Sequence, residues 1–308
     1  MTDVLAISGS RADLGYLLPV VRRLGDRCEV RHLGGFSPAG DSPHQIAQAM
    51  GEAIEAASRL LDAPRLVLLC GDRWETAAAA QACVLHGVPI AHIGGGARTS
   101  GSYDGVFRDQ VTRASTLHLC FTEREAQRVG DVAGPAITVV TGSPALSDLP
   151  DPMPEPEERY DAVVLLRPET ARASWLAPAV AGALSELVGL SSLWLGGCPD
   201  VGSVKYGHGG LDREEYLRVL AHASVVVGNS SSILLEAPFF GTPGVLVGDR
   251  QRGRQVPSSV IEVPARARDI REAIESQLVV GRYRPDYTYG FGDGADRIAS
   301  IIKEWLDA

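Results

Sequence analysis

The sequence has no apolar run approaching the roughly 18–20 residues that a helix needs to cross a bilayer. Its start, Met1 to Asp3, also lacks the basic region and apolar core of a secretory signal. Hydrophobic residues make up 45% of the chain and charged residues 22%, a composition that is typical of globular proteins. We therefore expect a soluble, cytoplasmic protein with no membrane partner.

Cysteine is scarce, and its spacing is unlike that of a disulfide framework or a zinc site. The number is odd and no CxxC pair occurs. The five residues are Cys28, Cys70, Cys83, Cys120 and Cys198. Because their surroundings are mostly apolar, we expect reduced structural thiols and no bound metal.

The chain also lacks an excess of positive charge. Its formal net charge is -9 and its isoelectric point is about 5.3. This balance excludes a broad nucleic-acid-binding surface, but it allows a local basic site for one anionic ligand.

What the sequence does contain is a regular alternation of short apolar runs with helical patterns. Leucine and valine recur at helical spacing between Leu14 and Leu24, and apolar residues do so between Ile46 and Leu60. Ser42-Pro43, Thr122 with Glu125, and Asp212 with Glu215 resemble helix starts. The predicted strands are Val4–Ser8, Glu29–Leu33, Leu66–Cys70, Pro89–Ile93, Leu117–Phe121, Ile137–Val140, Ala162–Leu166, Ser192–Leu195, Ser224–Val227, Gly244–Val247 and Val260–Val263. The alternation predicts an α/β protein with doubly wound parallel sheets.

One segment interrupts this alternation. Leu149 to Arg159 is rich in proline and acidic residues, which is typical of an extended linker. With 308 residues the chain is long enough for two domains, and we detect no internal repeat. We predict a first domain over residues 1–149, a linker over 150–159, a second domain over 160–290 and a terminal segment over 291–308.

Ligands of doubly wound folds bind at the carboxyl ends of the strands, so the turns after strands are the candidate sites. The first such turn, Ser8 to Gly15, combines open backbone amides with Arg11, a plausible phosphate contact. The alternative is a tight turn with a surface arginine. The second, Cys70 to Ala80, carries Asp72, Arg73 and Glu75, although an N-cap with a first-turn acid gives the same pattern.

The third turn contains three consecutive glycines, Gly94 to Gly96, which allow a close approach of the backbone to a ligand. Asp104 and Arg108 follow within a few residues, so a flexible surface loop is the less favoured alternative. His92, at the end of the preceding strand, is interpreted as a structural histidine.

The fourth turn is the stretch VGNSSSILLEAPFFG, from Val227 to Gly241. Ser230, Ser231 and Ser232 bring hydroxyls and free amides to a predicted helix N-terminus, which is typical of an anion site. Glu236, about one turn further on, can accept hydrogen bonds from ribose hydroxyls. Simple capping of a helix would need only one serine.

Together, GSRADLG, GDRWE, TGSPALSDL, GNSSSILLEAPFFGTPGVLVGDRQRGR and YGFGDGADRI, taken in this order, resemble the UDP-N-acetylglucosamine 2-epimerase family. The hydrolysing branch, which releases UDP and N-acetylmannosamine, is the most similar. The resemblance runs from Ser8 nearly to the C-terminus. It implies a GT-B fold of two Rossmann-like domains, a nucleotide held mainly by the second, a terminal helix that crosses back, and usually a homodimer.

The resemblance also assigns residues. Ser230, Ser231 and Glu236 would bind diphosphate and ribose. The implied contacts to phosphate or nucleotide are Arg11, Arg73 and Arg250. Arg108 and Ser232 are further candidates for binding phosphate or nucleotide. Asp72 and Asp104 match acidic positions of the catalytic site. The implied reaction is an elimination across C1 and C2 of the sugar followed by addition of water, without metal or cofactor.

Departures from the family pattern fall on the catalytic positions. Ala97 stands where the hydrolysing enzymes carry the glutamate of HGGE, and Arg167 stands where they carry the histidine of an FHP-type motif. Arginine is a poor general acid or base but binds phosphate well. The family's Arg-His pair becomes Arg108-Asp109. The chain is also shorter than the family pattern between Phe36 and Ser42 and between Cys198 and Leu211.

Three functions fit these observations. In the first, the protein cleaves the anomeric bond of a nucleotide sugar and releases the nucleotide. The candidates for the carboxylate are Asp72, Glu75, Asp104 and Asp109, with Arg167 stabilising charge. In the second, it binds a nucleotide sugar without turnover. In the third, it is a glycosyltransferase that needs an acceptor. The base and the sugar of the nucleotide stay open.

Overall fold

The computed structural model describes residues 3–9, 11–33, 43–98, 104–167, 176–195 and 211–308. The strands in these ranges are β1 (Val4–Ser8), β2 (Cys28–His32), β3 (Leu66–Cys70), β4 (Ile90–Ile93), β5 (Leu117–Cys120), β6 (Ile137–Val140), β7 (Ala162–Leu165), β8 (Ser192–Leu195), β9 (Val225–Gly228), β10 (Gly244–Val247) and β11 (Val260–Val263). The helices are α1 (Arg11–Leu24), α2 (Pro43–Leu60), α3 (Trp74–His86), α4 (Asp104–Ala114), α5 (Glu123–Ala133), α6 (Leu176–Ser185), α7 (Arg213–His222), α8 (Ser232–Leu235), α9 (Ala267–Val280) and α10 (Gly294–Asp307).

The chain divides into two compact units. Unit 1 contains β1 to β6, α1 to α5 and the C-terminal helix α10. Its sheet has the order β2-β1-β3-β4-β5-β6, and all the pairings are parallel. Unit 2 contains β7 to β11 and α6 to α9, and its parallel sheet has the order β11-β10-β9-β7-β8. The predicted α/β class, with two Rossmann-like parallel-sheet units, is confirmed.

The central strands of both sheets are buried on both faces. Every residue of β1 and of β3 is buried, although neighbouring side chains on a strand point in opposite directions. Leu5, Ile7 and Val67 pack with Ala53 and Ala78 of the flanking helices. In unit 2 the runs of β7 and β9 are buried in the same way. Near-continuous apolar runs are what a parallel sheet covered by helices on both faces requires.

All the predicted strands are present, with ends that differ by at most one residue. The predicted helix starts at Thr122 and Asp212 are confirmed, because their side chains accept the amides of Glu125 (3.2 Å) and Glu215 (2.8 Å). The carboxylate of Glu125 accepts the amide of Phe121, one residue before the cap, at 2.9 Å. The predicted start at Ser42 lies outside the described residues.

The C-terminal helix α10 belongs to unit 1. Ile298, Ile302 and Leu306 recur at i, i+4 and i+8 and are buried, so one face of the helix packs on the unit. The amide of Ala295 donates to Ser147 Oγ at 3.0 Å. Arg23 of α1 forms an ion pair with Asp296. The Pro-rich stretch at residues 149–161, where unit 2 begins, contains no helix or strand.

Candidate functional site

Each sheet contains one point at which the strand order reverses. In unit 1, β1 lies between β2 and β3, and in unit 2, β7 lies between β8 and β9. At such a switch point the connections from neighbouring strands run to opposite sides, which opens a crevice at their carboxyl ends where ligands bind. The sequence pattern does not give strand order. The structure therefore singles out the turns after β1 and β3 in unit 1, and the turns after β7 and β9 in unit 2.

In unit 1 these are the turns after β1 and β3. Asp72 follows β3, and its carboxylate forms an ion pair with Arg108 from α4. Arg108 is 5% exposed, so the pair is fixed from the protein side, while the side chain of Asp72 keeps contact with solvent. Asp72, a catalytic candidate, and Arg108, a candidate for phosphate binding, thus form one ion pair at the switch point.

Arg73 and Glu75, at the start of α3, form a second pair. The guanidinium donates from Nε to Oε2 at 3.0 Å and from Nη2 to Oε1 at 2.7 Å. The hydrogen bond to Glu75 is the largest cause of a raised pKa of Arg73, to which the nearby charges of Asp13 and Asp104 add. Arg73, a predicted phosphate contact, therefore already neutralises a carboxylate. Arg11 begins α1, and its side chain lies outside the described part of the chain.

Asp13 was missed at the sequence level. It is buried in the first turn of α1, and its Oδ2 accepts the amide of Gly9 at 3.0 Å. A Cβ on Gly71 would lie 3.1 Å from Asp13 Oδ1, so the carboxylate touches both turns of the switch point. The available signal was an acid in the first turn of the helix that directly follows a predicted strand.

Asp109 lies at a different place, beside the glycine turn. It binds Arg128 of α5 through two hydrogen bonds, at 2.8 and 2.6 Å. Arg128 also donates to the carbonyl oxygens of Gly96 and Ala97, each at 3.3 Å. Gly96 has a φ of +78°, and a Cβ there would overlap the carbonyl of Glu125. The turn is thus buried and clamped, rather than a flexible surface loop.

In unit 2 the turns after β7 and β9 are joined by Asn229, which the sequence analysis did not select. Its Oδ1 accepts the amide of Arg167 at 2.7 Å, and its Nδ2 donates to the carbonyl of Arg167 at 2.9 Å. Its own carbonyl accepts Gln251 Nε2 at 3.0 Å and Arg250 Nη1 at 3.5 Å. Asn229 therefore holds Arg167 and Arg250 at the same switch point. Its position directly after a strand was the available signal.

The serines follow Asn229, but the helix that they begin is short. α8 has four residues and passes into a 3-10 turn over Pro238–Phe240. The amide of Ser232 donates to Ser230 Oγ at 3.4 Å, whereas Ser231 makes no side-chain cap. The expectation of a regular helix with serines at its start thus holds for only one turn, because Pro238 lacks a backbone N–H and disfavours helical continuation.

Glu236 is buried and held by two residues of α7. Arg213 Nη2 donates to Oε1 at 3.1 Å, and the hydroxyl of Tyr216 donates to Oε2 at 3.4 Å. Burial, and then the charge of Glu236, raise the pKa of Tyr216, so its hydroxyl stays protonated as a donor. A carboxylate fixed in this way has further lone pairs for a ligand.

Over the described ranges no cluster of histidine, cysteine and acidic residues has the arrangement of a metal site. Cys28, Cys70, Cys83 and Cys120 are free thiols, and Cys198 lies outside these ranges. In the same part of the chain no helix combines the length and the apolar composition that a membrane span requires.

Residues 32–174 and 207–303, more than half of the chain, match the sequence profile of the family described as UDP-N-acetylglucosamine 2-epimerase. A protein of Neisseria meningitidis named UDP-N-acetylglucosamine 2-epimerase is 26% identical over 98% of this chain and 95% of its own length. UDP-N,N'-diacetylbacillosamine 2-epimerase (hydrolyzing) of Legionella pneumophila is 25% identical over 97% and 95%. The Methanocaldococcus jannaschii UDP-GlcNAc 2-epimerase, solved with UDP-GlcNAc and UDP, superposes with a TM-score of 0.82 at 16% identity and covers 98% of this chain and 99% of its own.

These similarities bear on the architecture and the length of the chain. The superposition supports the predicted GT-B type of fold. The Neisseria alignment spans 361 positions although this chain has 308 residues, so the relative carries segments that are missing here. The profile leaves residues 175–206 unmatched. We expected the chain to be shorter than the family pattern at two places, Phe36 to Ser42 and Cys198 to Leu211. Nearly all of these residues lie outside the described ranges.

Proposed function

Because the chain belongs to the UDP-N-acetylglucosamine 2-epimerase family, we propose that it cleaves the anomeric bond of a nucleotide sugar and releases the nucleotide without a metal or cofactor. In this proposal unit 2 holds the nucleotide and unit 1 supplies the catalytic carboxylate. The observation that carries it is the contrast between the two switch points, because Asp72 is paired with Arg108 in unit 1, and the turns of unit 2 carry Arg167, Arg250 and three serines. We also propose that the protein forms a homodimer and that it acts in the cytoplasm.

Nucleotide binding rests on the groups at the switch point of unit 2. The backbone of Arg167 and the side chain of Arg250 hydrogen-bond to Asn229, the residue directly before Ser230 to Ser232. Arginine donors and backbone amides are suited to a diphosphate. Glu236, fixed by Arg213 and Tyr216, would accept ribose hydroxyls. The related proteins solved with UDP or UDP-GlcNAc make a uridine nucleotide the first ligand to test.

The chemistry proposed for unit 1 is proton transfer by a carboxylate. A base removes the C2 proton, the C1–O bond breaks, and the nucleoside diphosphate departs with the bonding electrons. Water then adds its hydroxyl to C1 of the glycal, and a proton returns to C2 on the opposite face. Asp72 is the preferred base, because it lies at the switch point, is held by Arg108 and keeps contact with solvent, whereas Glu75 is buried and Asp109 lies beside the glycine turn.

Asp104 is the second candidate for proton transfer. It begins α4, one turn before Arg108, and its charge acts on Arg73. Arg167 would stabilise the departing diphosphate. Ala97 and Arg167, at positions where the resemblance places a glutamate and a histidine, favour a sugar other than N-acetylglucosamine or a relocated acid.

The test is incubation of the purified protein with UDP-N-acetylglucosamine in deuterated water, followed by phosphorus and proton NMR. The expected result is release of UDP with deuterium at C2 of the sugar, from UDP-N-acetylglucosamine if the acid is relocated and from the N,N'-diacetylbacillosamine analogue if the sugar differs. Shift changes of the nucleotide without turnover would favour the binding protein, and turnover only after addition of an acceptor would favour the glycosyltransferase. No shift change and no turnover with UDP, UDP-N-acetylglucosamine and the N,N'-diacetylbacillosamine analogue would overturn the proposal.

A further inference from the structure

The turn Gly71-Asp72 is held from three sides. The carboxylate of Asp13 lies against Gly71 from α1, and Arg108 of α4 binds the carboxylate of Asp72. The third contact comes from β4, where Nε2 of His92 lies 3.0 Å from the carbonyl oxygen of Gly71. Gly71 has a φ of +92°, a conformation that side chains rarely adopt, so this turn depends on its surroundings.

His92 is fully buried and has a defined tautomer. Because the Gly71 carbonyl is an acceptor, Nε2 carries the proton and donates it. Nδ1 is then an acceptor, and the hydroxyl of Thr112 donates to it at 3.3 Å. Burial is the main cause that lowers the pKa of His92 to about 3, so the ring is neutral at physiological pH.

The two polar contacts of His92 connect the same elements as the ion pair of Asp72. Thr112 and Arg108 are four residues apart on α4 and therefore share one face of the helix. Arg108 reaches the side chain of Asp72, and Thr112 reaches the backbone of Gly71 through His92. The turn is thus fixed to α4 at its side chain and at its backbone. Burying a histidine with two satisfied polar atoms costs more than burying an apolar side chain, so packing alone does not account for it.

We propose that His92 is a positioning residue, which sets the orientation of the Asp72 carboxylate through its hydrogen bond to the Gly71 carbonyl. This inference rests on the proposed function, in which Asp72 is the base. His92 does not touch the sugar or transfer a proton. Its effect is on kcat, because a small displacement of a base lowers the rate of proton removal more than it lowers substrate affinity.

Two substitutions separate the donor from the bulk of the ring. His92→Gln places an amide nitrogen where Nε2 lies and keeps the donor, whereas His92→Asn reaches only to the place of Nδ1 and loses it. His118→Gln is the control, because His118 is buried and pairs in register with His92 on the neighbouring strand. We expect His92→Asn to lower kcat about 10- to 100-fold with KM within about threefold, and the two glutamine variants to stay within about threefold in kcat. Equal loss in His92→Gln and His92→Asn, or the same loss in His118→Gln, would overturn the inference.

A second readout does not depend on turnover. In protein labelled with ¹³C at aspartate, the carboxyl signal of Asp72, assigned with Asp72→Asn, reports its environment without substrate. We expect this signal to move in His92→Asn and to stay in place in His92→Gln. An Asp72 signal unchanged in His92→Asn contradicts the inference. If the wild type shows no turnover, the proposed function fails while the positioning of Asp72 is still decided by this measurement.

Discussion

The two switch points have the same topology but different electrostatics. In unit 1 the predicted phosphate contacts Arg73 and Arg108 each form an ion pair with a carboxylate. In unit 2 the guanidinium of Arg167 forms no ion pair with an acidic side chain of the described ranges, and its backbone is fixed by Asn229. A cation that is already paired gains little from a phosphate, because it must share or lose its first partner. The comparison teaches that turns at equivalent places in the two sheets differ in whether the described acidic side chains pair with their arginines.

The largest effect is expected at the base in unit 1. Asp72→Asn keeps the shape of the side chain but cannot accept the C2 proton, so kcat should fall by about 10²- to 10⁴-fold. The affinity for UDP, measured by calorimetry, should change little because the proposal assigns UDP binding to unit 2. Asp131→Asn, an exposed position on α5, is the matched control. Retained turnover in Asp72→Asn would indicate that Asp104 is the base. Asp104→Ala would then be inactive.

The next effect separates the arginines of the two units. Arg167→Met should weaken UDP binding about 10- to 100-fold, because a charge-assisted hydrogen bond to phosphate is lost. Arg73→Met should weaken it by less than about threefold, because Glu75 already engages that guanidinium. Arg268→Met, on the exposed surface of unit 2, is the control. An equal loss of UDP affinity in Arg167→Met and Arg73→Met would contradict the proposed difference between the arginines of the two units.

A smaller effect tests Glu236. The wild type should prefer UDP to 2'-deoxy-UDP by about five- to tenfold, which corresponds to one ribose hydrogen bond. Glu236→Gln keeps an acceptor oxygen for only one of Arg213 and Tyr216 and loses the charge, so this preference should narrow to about twofold. Calorimetric titration of both nucleotides against both proteins checks it. An unchanged preference would show that the ribose is recognised elsewhere.

The last effect concerns acid stability. The pKa of His92 is about 3 in the folded protein, below the value of about 6.5 in an unfolded chain, so the unfolded state binds the extra proton between these values. The contribution of neutral His92 to the free energy of unfolding is therefore fully present above about pH 6.5. It is lost as the pH falls, by up to about 1.4 kcal/mol per pH unit. As the pH falls, hydrogen exchange should show that the amides of unit 1 lose protection before those of unit 2. His92→Gln should make the opening free energy of unit 1 depend less on pH between about pH 6 and 4.5. An unchanged pH dependence of this free energy in His92→Gln would contradict the predicted loss of stability in acid.

Local patterns predicted the strands well because each strand is an apolar run that ends at a polar turn. The same reasoning selected Asp72 and the serines, since they follow strands, whereas Arg167 was selected only through the family resemblance. It missed Asn229 and Asp13, whose side chains bind the backbone of their own or a neighbouring turn. It also did not predict that Arg128 binds the carboxylate of Asp109, one of the catalytic candidates. Partners from distant parts of the chain leave no local pattern.

The sequence by itself determined the α/β class, the order of strands and helices along the chain and the family, because apolar periodicity and contiguous motifs are local properties. Only the tertiary structure decided which turns meet and which charges are paired. Strand order in the sheets brings β1 beside β3 and β7 beside β9, and α4 brings Arg108 to Asp72 across 36 positions. An ion pair depends on distance in space, and the folded sheet sets that distance.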